Sequence, residues 1–400
     1  MFKRKQRTQV GIQIKQSVPY KNDEEIRTSP LVTDDLLDAI FDDAKTMHEI
    51  FMRGVRVSGD KPCLGWRLGP DLPYTWITYN DVLYRCKCVG SGLISLGAKP
   101  NSSQLIGIIT TNRLEWILVE QACNCYSMVI LPFIETRGSE IIMDICKLKF
   151  VIVNTNANAR ALMTLKTDIK FPLEFVVIMD EINEDTRMLA KNCQTTLIKF
   201  SDLEELGMKK IHELVPPQPN DLYKIEFTSG TTGLPKGVML MHKNLAIVIS
   251  TLHSVTKYTN FNFDENDVYL SFAPVFSTSR ITLIYVMFLV GGKVGFFAGN
   301  RINLLYDARE LKPTLFSFPI EMFYKLYRTF SSTTSKSFWR KFLLNCAFKA
   351  KLKLLHRGIV TTNTIWDYLV FNEYKKLFGG KVKVYFTVLF CQKQNWKNLC

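Results

Sequence analysis

The sequence has no apolar run long enough to cross a bilayer. The longest, "ITLIYVMFLVGG" from Ile281 to Gly292, falls short of the ~20 residues a spanning helix needs and reads as a buried helix or strand. There is no secretory leader, because "MFKRKQRTQVGIQIKQ" is basic with no apolar stretch behind it. The ten cysteines include no C-x-x-C pair, and the C-x-C pairs Cys86/Cys88 and Cys123/Cys125 meet no partner at zinc spacing. The five histidines (His48, His212, His242, His253 and His356) show no metal-ligand spacing either. No G-x-S-x-G elbow offers a hydrolase nucleophile, and no G-x-x-x-x-G-K-[ST] offers a Walker loop. Internal repeats and low-complexity segments are missing. These absences argue against zinc-ribbon, disulfide-stapled and bilayer-spanning classes, and fit reduced thiols in a cytosol-facing chain.

Acidic residues are scarce at one end. Glu321 to Cys400 holds 15 Lys/Arg against 3 Asp/Glu, so this last fifth carries most of the formal net charge of +14. Such a bias suggests peripheral contact with an anionic surface, a membrane included, or an anionic ligand; a solvated helix face is the plain alternative. Nucleic acid is not expected as a partner, since no basic-aromatic module or zinc-finger spacing occurs.

What is present is an α/β pattern. At 400 residues the chain exceeds the ~250–300 at which single cores usually stop growing. Residues 1–43 read as a polar, weakly ordered extension. From Ala44, apolar runs such as "QLIGIIT", "MVILPF", "KFVIVN" and "LEFVVIMD" alternate with helical stretches such as "NRLEWILVEQACNCY", for which Asn112 is a candidate N-cap. Continuous apolar strands of this kind belong to a parallel sheet covered on both faces. The expected division is a first α/β subdomain over 44–214, a Pro-rich joint at 215–221 ("VPPQPND"), a second α/β subdomain over 222–387 and an atypical tail at 388–400. The paired carboxylates Asp34/Asp35 and Asp42/Asp43 read as a solvated face or a capping segment.

One polar stretch stands out between apolar flanks. "EFTSGTTGLPKGVML" (Glu226 to Leu240) follows the strand pattern "LYKIEFT". Gly230 and Gly233 permit positive φ and close backbone approach. Thr228, Ser229, Thr231 and Thr232 supply hydroxyls, and exposed backbone N–H groups can form an anion-binding nest. Lys236 adds a point charge suited to phosphate. Several donors, little bulk and one cation are what a triphosphate needs; a solvated hairpin loop is the bland reading of the same residues.

With His242 and Asn244 beyond it, "FTSGTTGLPKGVML" resembles the phosphate-loop signature of the adenylate-forming superfamily. "IGIITTNRLEWILVEQAC", "YSMVILPFIET", "GGKVGFFAGN", "LKPTLF" and "FGGKVKV" resemble its long-chain fatty acyl-CoA synthetases in particular, over roughly Asp43 to Thr387. The resemblance implies parallel sheets flanked by helices, an incomplete N-terminal portion of the adenylate-forming ligase fold. It implies ATP-dependent activation of a long-chain fatty acid through an acyl-adenylate, with coenzyme A as co-substrate and Mg2+ on the phosphates. Thr228, Ser229, Gly230, Thr231, Thr232, Gly233 and Lys236 are then the nucleotide-binding residues, and the endoplasmic reticulum or another intracellular membrane the implied location.

The sequence also departs from that family. In "PVFSTSRI" (Pro274 to Ile281) the family's His, Glu and Arg become Ser277, Arg280 and Ile281. Ile320 stands where another Arg is usual, and Glu226 where a small apolar residue or Cys is usual. Beyond Thr387 the chain reads "VLFCQKQNWKNLC" in place of the family's nucleotide-contacting turn, and no Tyr-Gly-x-Thr-Glu motif with its magnesium-binding Glu occurs. Two functional expectations follow: a divergent long-chain fatty acid-CoA ligase, or a catalytically incompetent shortened paralogue that binds nucleotide weakly or acts only through partners.

Overall fold

The computed structural model describes residues 17–20, 23–28, 41–69, 71–133, 139–168, 172–228, 235–258, 262–273, 278–299, 304–319, 324, 328, 338–357, 359 and 361–388. In chain order, the hairpin β1 (Val18–Tyr20) and β2 (Asp23–Thr28) comes first. It falls inside the extension expected to be weakly ordered, and its antiparallel register pairs Val18 with Thr28. Then come α1 (Met47–Ser58), β3 (Pro62–Trp66), β4 (Thr75–Thr78) and α2 (Tyr79–Ser95). The next units are β5 (Leu105–Ile109), α3 (Leu114–Cys125), β6 (Val129–Pro132), α4 (Ser139–Cys146), β7 (Phe150–Val153), α5 (Asn156–Asp168) and β8 (Phe175–Ile178). After α6 (Glu184–Asn192), β9 (Thr196–Lys199) and α7 (Phe200–Lys209), the joint leads to β10 (Leu222–Thr228), β11 (Lys236–Met241) and α8 (His242–Tyr258). The last part holds β12 (Val268–Ser271), α9 (Thr278–Val290), β13 (Lys293–Phe296), α10 (Leu304–Leu311) and β14 (Leu315–Pro319). It ends with α11 (Phe338–Leu355), a π-helical turn (Asp367–Phe371) continuing into α12 (Asn372–Leu377), and β15 (Val384–Val388).

Two large sheets result, ordered β11-β10-β6-β5-β7-β8-β9 and β15-β14-β12-β13-β3-β4. Pairing is parallel except for the β10–β11 and β3–β4 ladders. The expected α/β class is therefore present. The sheets do not part at residues 215–221, however: β3 and β4 from the first half join the second sheet, and β10 and β11 from the second half join the first.

Side-chain alternation explains the layering. On β7, Phe150 and Ile152 face one core while Val151 and Val153 face another. On β12, Tyr269 joins the first of these cores and Val268 and Leu270 a third. With period 2 along each strand, both faces of both sheets are apolar, as the unbroken hydrophobic runs require. The largest core lies between the sheets. At its centre is α9, with Ile281 and Leu283–Leu289 all almost wholly buried. The run too short for a bilayer thus serves as a central core helix, and no helix among the described residues is long and apolar enough to cross a membrane.

Local chemistry sets the helix starts. Thr46 caps α1 in a reciprocal box with Glu49, and Thr78 caps α2 with Asp81. Close packing needs Gly54 on α1, where a Cβ would lie 2.4 Å from the Phe288 carbonyl oxygen of α9. The C-x-C pairs turn into the core as free, buried thiols whose ionisation burial suppresses. Asp43, as a solvated residue, accepts from Arg53 and Arg56 on α1.

His48 and His242 are buried at the starts of α1 and α8, and His242 Nδ1 accepts from the Met47 amide at 3.3 Å, which requires that nitrogen unprotonated. Burial pushes His48 down to about 4 and His242 down to about 3 from an ordinary 6.5. The unfolded chain takes up these protons near 6.5 and the folded chain does not until the lower values. Stability is therefore full above that pH and falls as the pH drops, by on the order of 2 kcal/mol per histidine at about pH 5. Thermal melts between about pH 7 and about pH 5 should show a falling midpoint, with His242→Gln flattening the slope by one proton. A profile that His242→Gln leaves unchanged would refute the neutral buried assignment.

Candidate functional site

The carboxyl ends of the parallel strands are where open α/β sheets place ligands. Here those ends are joined by Asn112, three residues past β5. Its Nδ2 donates to the Ser271 carbonyl oxygen at 2.7 Å and to Ser271 Oγ at 3.1 Å, at the end of β12. Its Oδ1 accepts from Arg280 Nη1 at 3.1 Å. Asn112 is therefore not the N-cap of α3; that position is Arg113, whose side chain makes no capping bond and instead pairs with Glu115 and Asp180.

Strand β10 runs parallel to β6, so its end at Thr228 opens on the same side of the first sheet. The antiparallel register with β11 pairs Phe227 with Gly237 and Thr228 with Lys236. Thr228 Oγ1 donates to the Lys236 carbonyl oxygen at 3.4 Å, closing the mouth of the hairpin. Ser229, Gly230, Thr231, Thr232 and Gly233, the centre of the expected phosphate loop, lie outside the described residues, as does Ser277. Lys236 is exposed and makes no ion pair among the described residues, which leaves its charge available to an anion. Gly237 beside it packs closely, since a Cβ there would stand 3.1 Å from Ile225 Cγ2. These features suit a nucleotide's phosphates. For magnesium the described residues offer no group of three or more acid, His or Cys side chains, so no protein ligand is assigned to that ion.

Behind the hairpin lies a buried charged network. Lys224 and Glu226, two residues apart on β10 and so on one face, pair at 2.6 Å with Lys224 almost fully buried. From α3, Glu120 Oε1 accepts from Tyr223 Oη at 2.5 Å, and Glu120 Oε2 accepts no hydrogen bond among the described residues. From α9, the buried Arg280 guanidinium lies 5.6 Å from the Trp116 ring centre. Tyr285 Oη accepts from Gln121 at 2.7 Å and Asn124 at 2.9 Å. Burial raises Glu120 against the pull of Lys224, and burial lowers Lys224 against the pull of Glu226 and Glu120. Arg280 is likewise lowered by burial and supported by Glu120.

Two acids and two bases thus share one low-dielectric region. Sequence reasoning marked Glu226 and Arg280 only as departures. The available signal was a strand pattern carrying Lys224 and Glu226 two positions apart, where apolar residues were due. His242 packs at the start of α8, its ring centre 5.2 Å from that of Tyr223.

The profile of the AMP-binding enzyme family matches residues 51–365. Long-chain-fatty-acid–CoA ligase 5 of Rattus norvegicus is 37% identical over 359 residues, 88% of this chain and 52% of that protein. Long-chain-fatty-acid–CoA ligase 1 of Homo sapiens is 36% identical over 368 residues, 90% of this chain and 52% of that protein. The chain spans about half the length of the curated relatives it matches. In fold, it resembles the adenylation domain of a carboxylate reductase from Mycobacterium chelonae, with a TM-score of 0.67 at 15% identity over 86% of this chain and 53% of that one. A long-chain-fatty-acid-CoA ligase from Archaeoglobus fulgidus gives 0.55 at 17% identity over 72% of this chain and 54% of that one. The class defined by this fold and profile is the AMP-binding enzymes, and the chain belongs to that family. The curated relatives it is similar to within it are long-chain-fatty-acid–CoA ligases.

Lys224→Met leaves the buried Glu120 and the half-buried Glu226 facing one cation and should destabilise the protein by about 3–5 kcal/mol. Adding Glu226→Gln should recover most of that loss. Urea unfolding of the parent, the single and the double variant measures this. A double variant no more stable than Lys224→Met would show that the pair is not coupled.

Proposed function

We propose that this chain provides the nucleotide cradle of an ATP-dependent long-chain fatty acid–CoA ligase. The observation that carries the reading is the β10–β11 hairpin. It holds "TSGTTGLPK" between paired residues Thr228 and Lys236, at the carboxyl end of the first sheet. In this reading Ser229, Thr231 and Thr232 supply hydroxyls, the glycines Gly230 and Gly233 let the backbone close on the phosphates, and Lys236 neutralises their charge. Carboxylate oxygen attacks the α-phosphorus and pyrophosphate leaves; the coenzyme A sulfur, losing its proton, then attacks the acyl carbon of the adenylate and AMP leaves. Magnesium, when bound, would supply positive charge against the phosphates, and none of the described residues is assigned to hold it. The protein's own part is to position reactants and offset charge.

A second reading is favoured by Arg280. Where the resemblance puts a glutamate, this chain has a cation fully buried and bonded to Asn112, turned to structural use. That change fits a protein that binds nucleotide without completing the reaction. Calorimetry with ATP tests the part both readings share. Lys236→Ala removes a charged hydrogen bond worth ~1.5–3 kcal/mol and should weaken ATP binding about ten- to hundred-fold; equal affinities would sink the phosphate-loop role. A thioester assay with palmitate, ATP and coenzyme A separates the readings. Turnover above a no-enzyme control supports the ligase, and ATP affinity without turnover supports the second.

A further inference from the structure

Helix α3 carries a row of buried polar atoms whose hydrogen bonds are not accounted for. Trp116 Nε1, Glu120 Oε2 and Asn124 Oδ1 find no partner among the described residues, and all three residues are almost wholly buried. They are spaced four apart, so they follow one another on one face of the helix, turning about 40° and rising about 6 Å at each step. That face meets α9 and β10. The Arg280 guanidinium lies over the Trp116 ring, Tyr223 Oη donates to Glu120 Oε1, and Asn124 Nδ2 donates to Tyr285 Oη at 2.9 Å. Asn124 Nδ2 also donates to Gln121 Oε1 at 3.2 Å, an atom that can only accept, so the amide cannot be turned over to relieve its oxygen. An unpaired polar atom in such a place carries its full desolvation penalty, and a charged oxygen carries more. The three atoms are one donor and two acceptors in sequence. Only a molecule that accepts and donates can join the indole N–H to the Glu120 oxygen, and only one that donates twice can join Glu120 to Asn124. Water does both. Two hydrogen bonds through one water span about 5.6 Å, which matches the rise between successive side chains.

We propose that this face of α3 is a binding site for two ordered water molecules, one between Trp116 Nε1 and Glu120 Oε2 and one between Glu120 Oε2 and Asn124 Oδ1. The first accepts from the indole and donates to the carboxylate; the second donates to both oxygens. With Tyr223 they surround Glu120 with donors, a private solvation shell that lets the carboxylate stay charged opposite Lys224 and Arg280. The inference is independent of the ligase reading, since it concerns groups inside the core and not the hairpin. High-resolution crystallography of the full chain tests it. A density peak of single-oxygen size should lie within ~2.7–3.2 Å of both atoms of each pair. In solution, the Trp116 indole proton, assigned by its loss in Trp116→Phe, should show a cross-peak to bound water in NMR spectra. A direct Trp116–Glu120 hydrogen bond, or side chains packed together with no peak between them, would overturn the proposal. So would an indole proton with no contact to water. A peak too large for water would also overturn it, by giving the site to a different polar ligand.

Discussion

The burial of Glu120, Lys224 and Arg280, with Glu226 half-buried beside them, where β10, α3 and α9 meet is the constraint on which the site depends. Two of them, Lys224 and Glu226, sit on a strand of the first sheet, and Arg280 sits on the helix leading into β13 of the second. Each charge alone would be too costly in this position; together they are tolerable, provided the strands and helices keep one relative placement. The Asn112 bonds to Ser271 and Arg280 extend that requirement to the strand ends. Polar groups that can be satisfied in only one arrangement specify geometry more sharply than the apolar packing around them. The hairpin that presents Lys236 is built on this part of the first sheet, so its aim is set from within the core.

Around the charges the structure is conventional in its physics. The central strands of both sheets are covered on both faces, the central helix is mainly apolar, and the capping boxes of Thr46 and Thr78 follow from the residues three positions on. Features local in sequence were readable from it: the strands within "QLIGIIT", "KFVIVN", "LEFVVIMD" and "LYKIEFT", and their largely parallel pairing. The partition of strands between sheets was not readable. β3 looks like any other apolar strand, and nothing within Pro62–Trp66 records that its neighbour is β13. Asn112 misled for a similar reason: its local context suits a helix cap, and a tertiary bond to Ser271 outweighs that preference.

The departures from the family have mixed meanings. Glu226, odd by itself, is explained by Lys224 two residues earlier, and the pair is a local pattern that sequence alone could have exposed. Arg280 is explained only by Glu120, Trp116 and Asn112, which come from a distant stretch of chain and from another layer. A substitution seen singly therefore looks like loss of a functional group, while in the folded protein it belongs to a set whose charges sum to zero.

The exchange of strands between the two halves has a consequence for how the chain comes off the ribosome. Ser58, at the end of α1, hydrogen-bonds the Gly291 carbonyl oxygen 233 positions later, and β3 beside it pairs with β13. At ~5–20 residues per second, the early strands wait on the order of tens of seconds for these partners. Through that interval the apolar faces of β3 and β4 have no native sheet to join. Exposed apolar strand faces of this kind are prone to aggregation until the partner strand emerges.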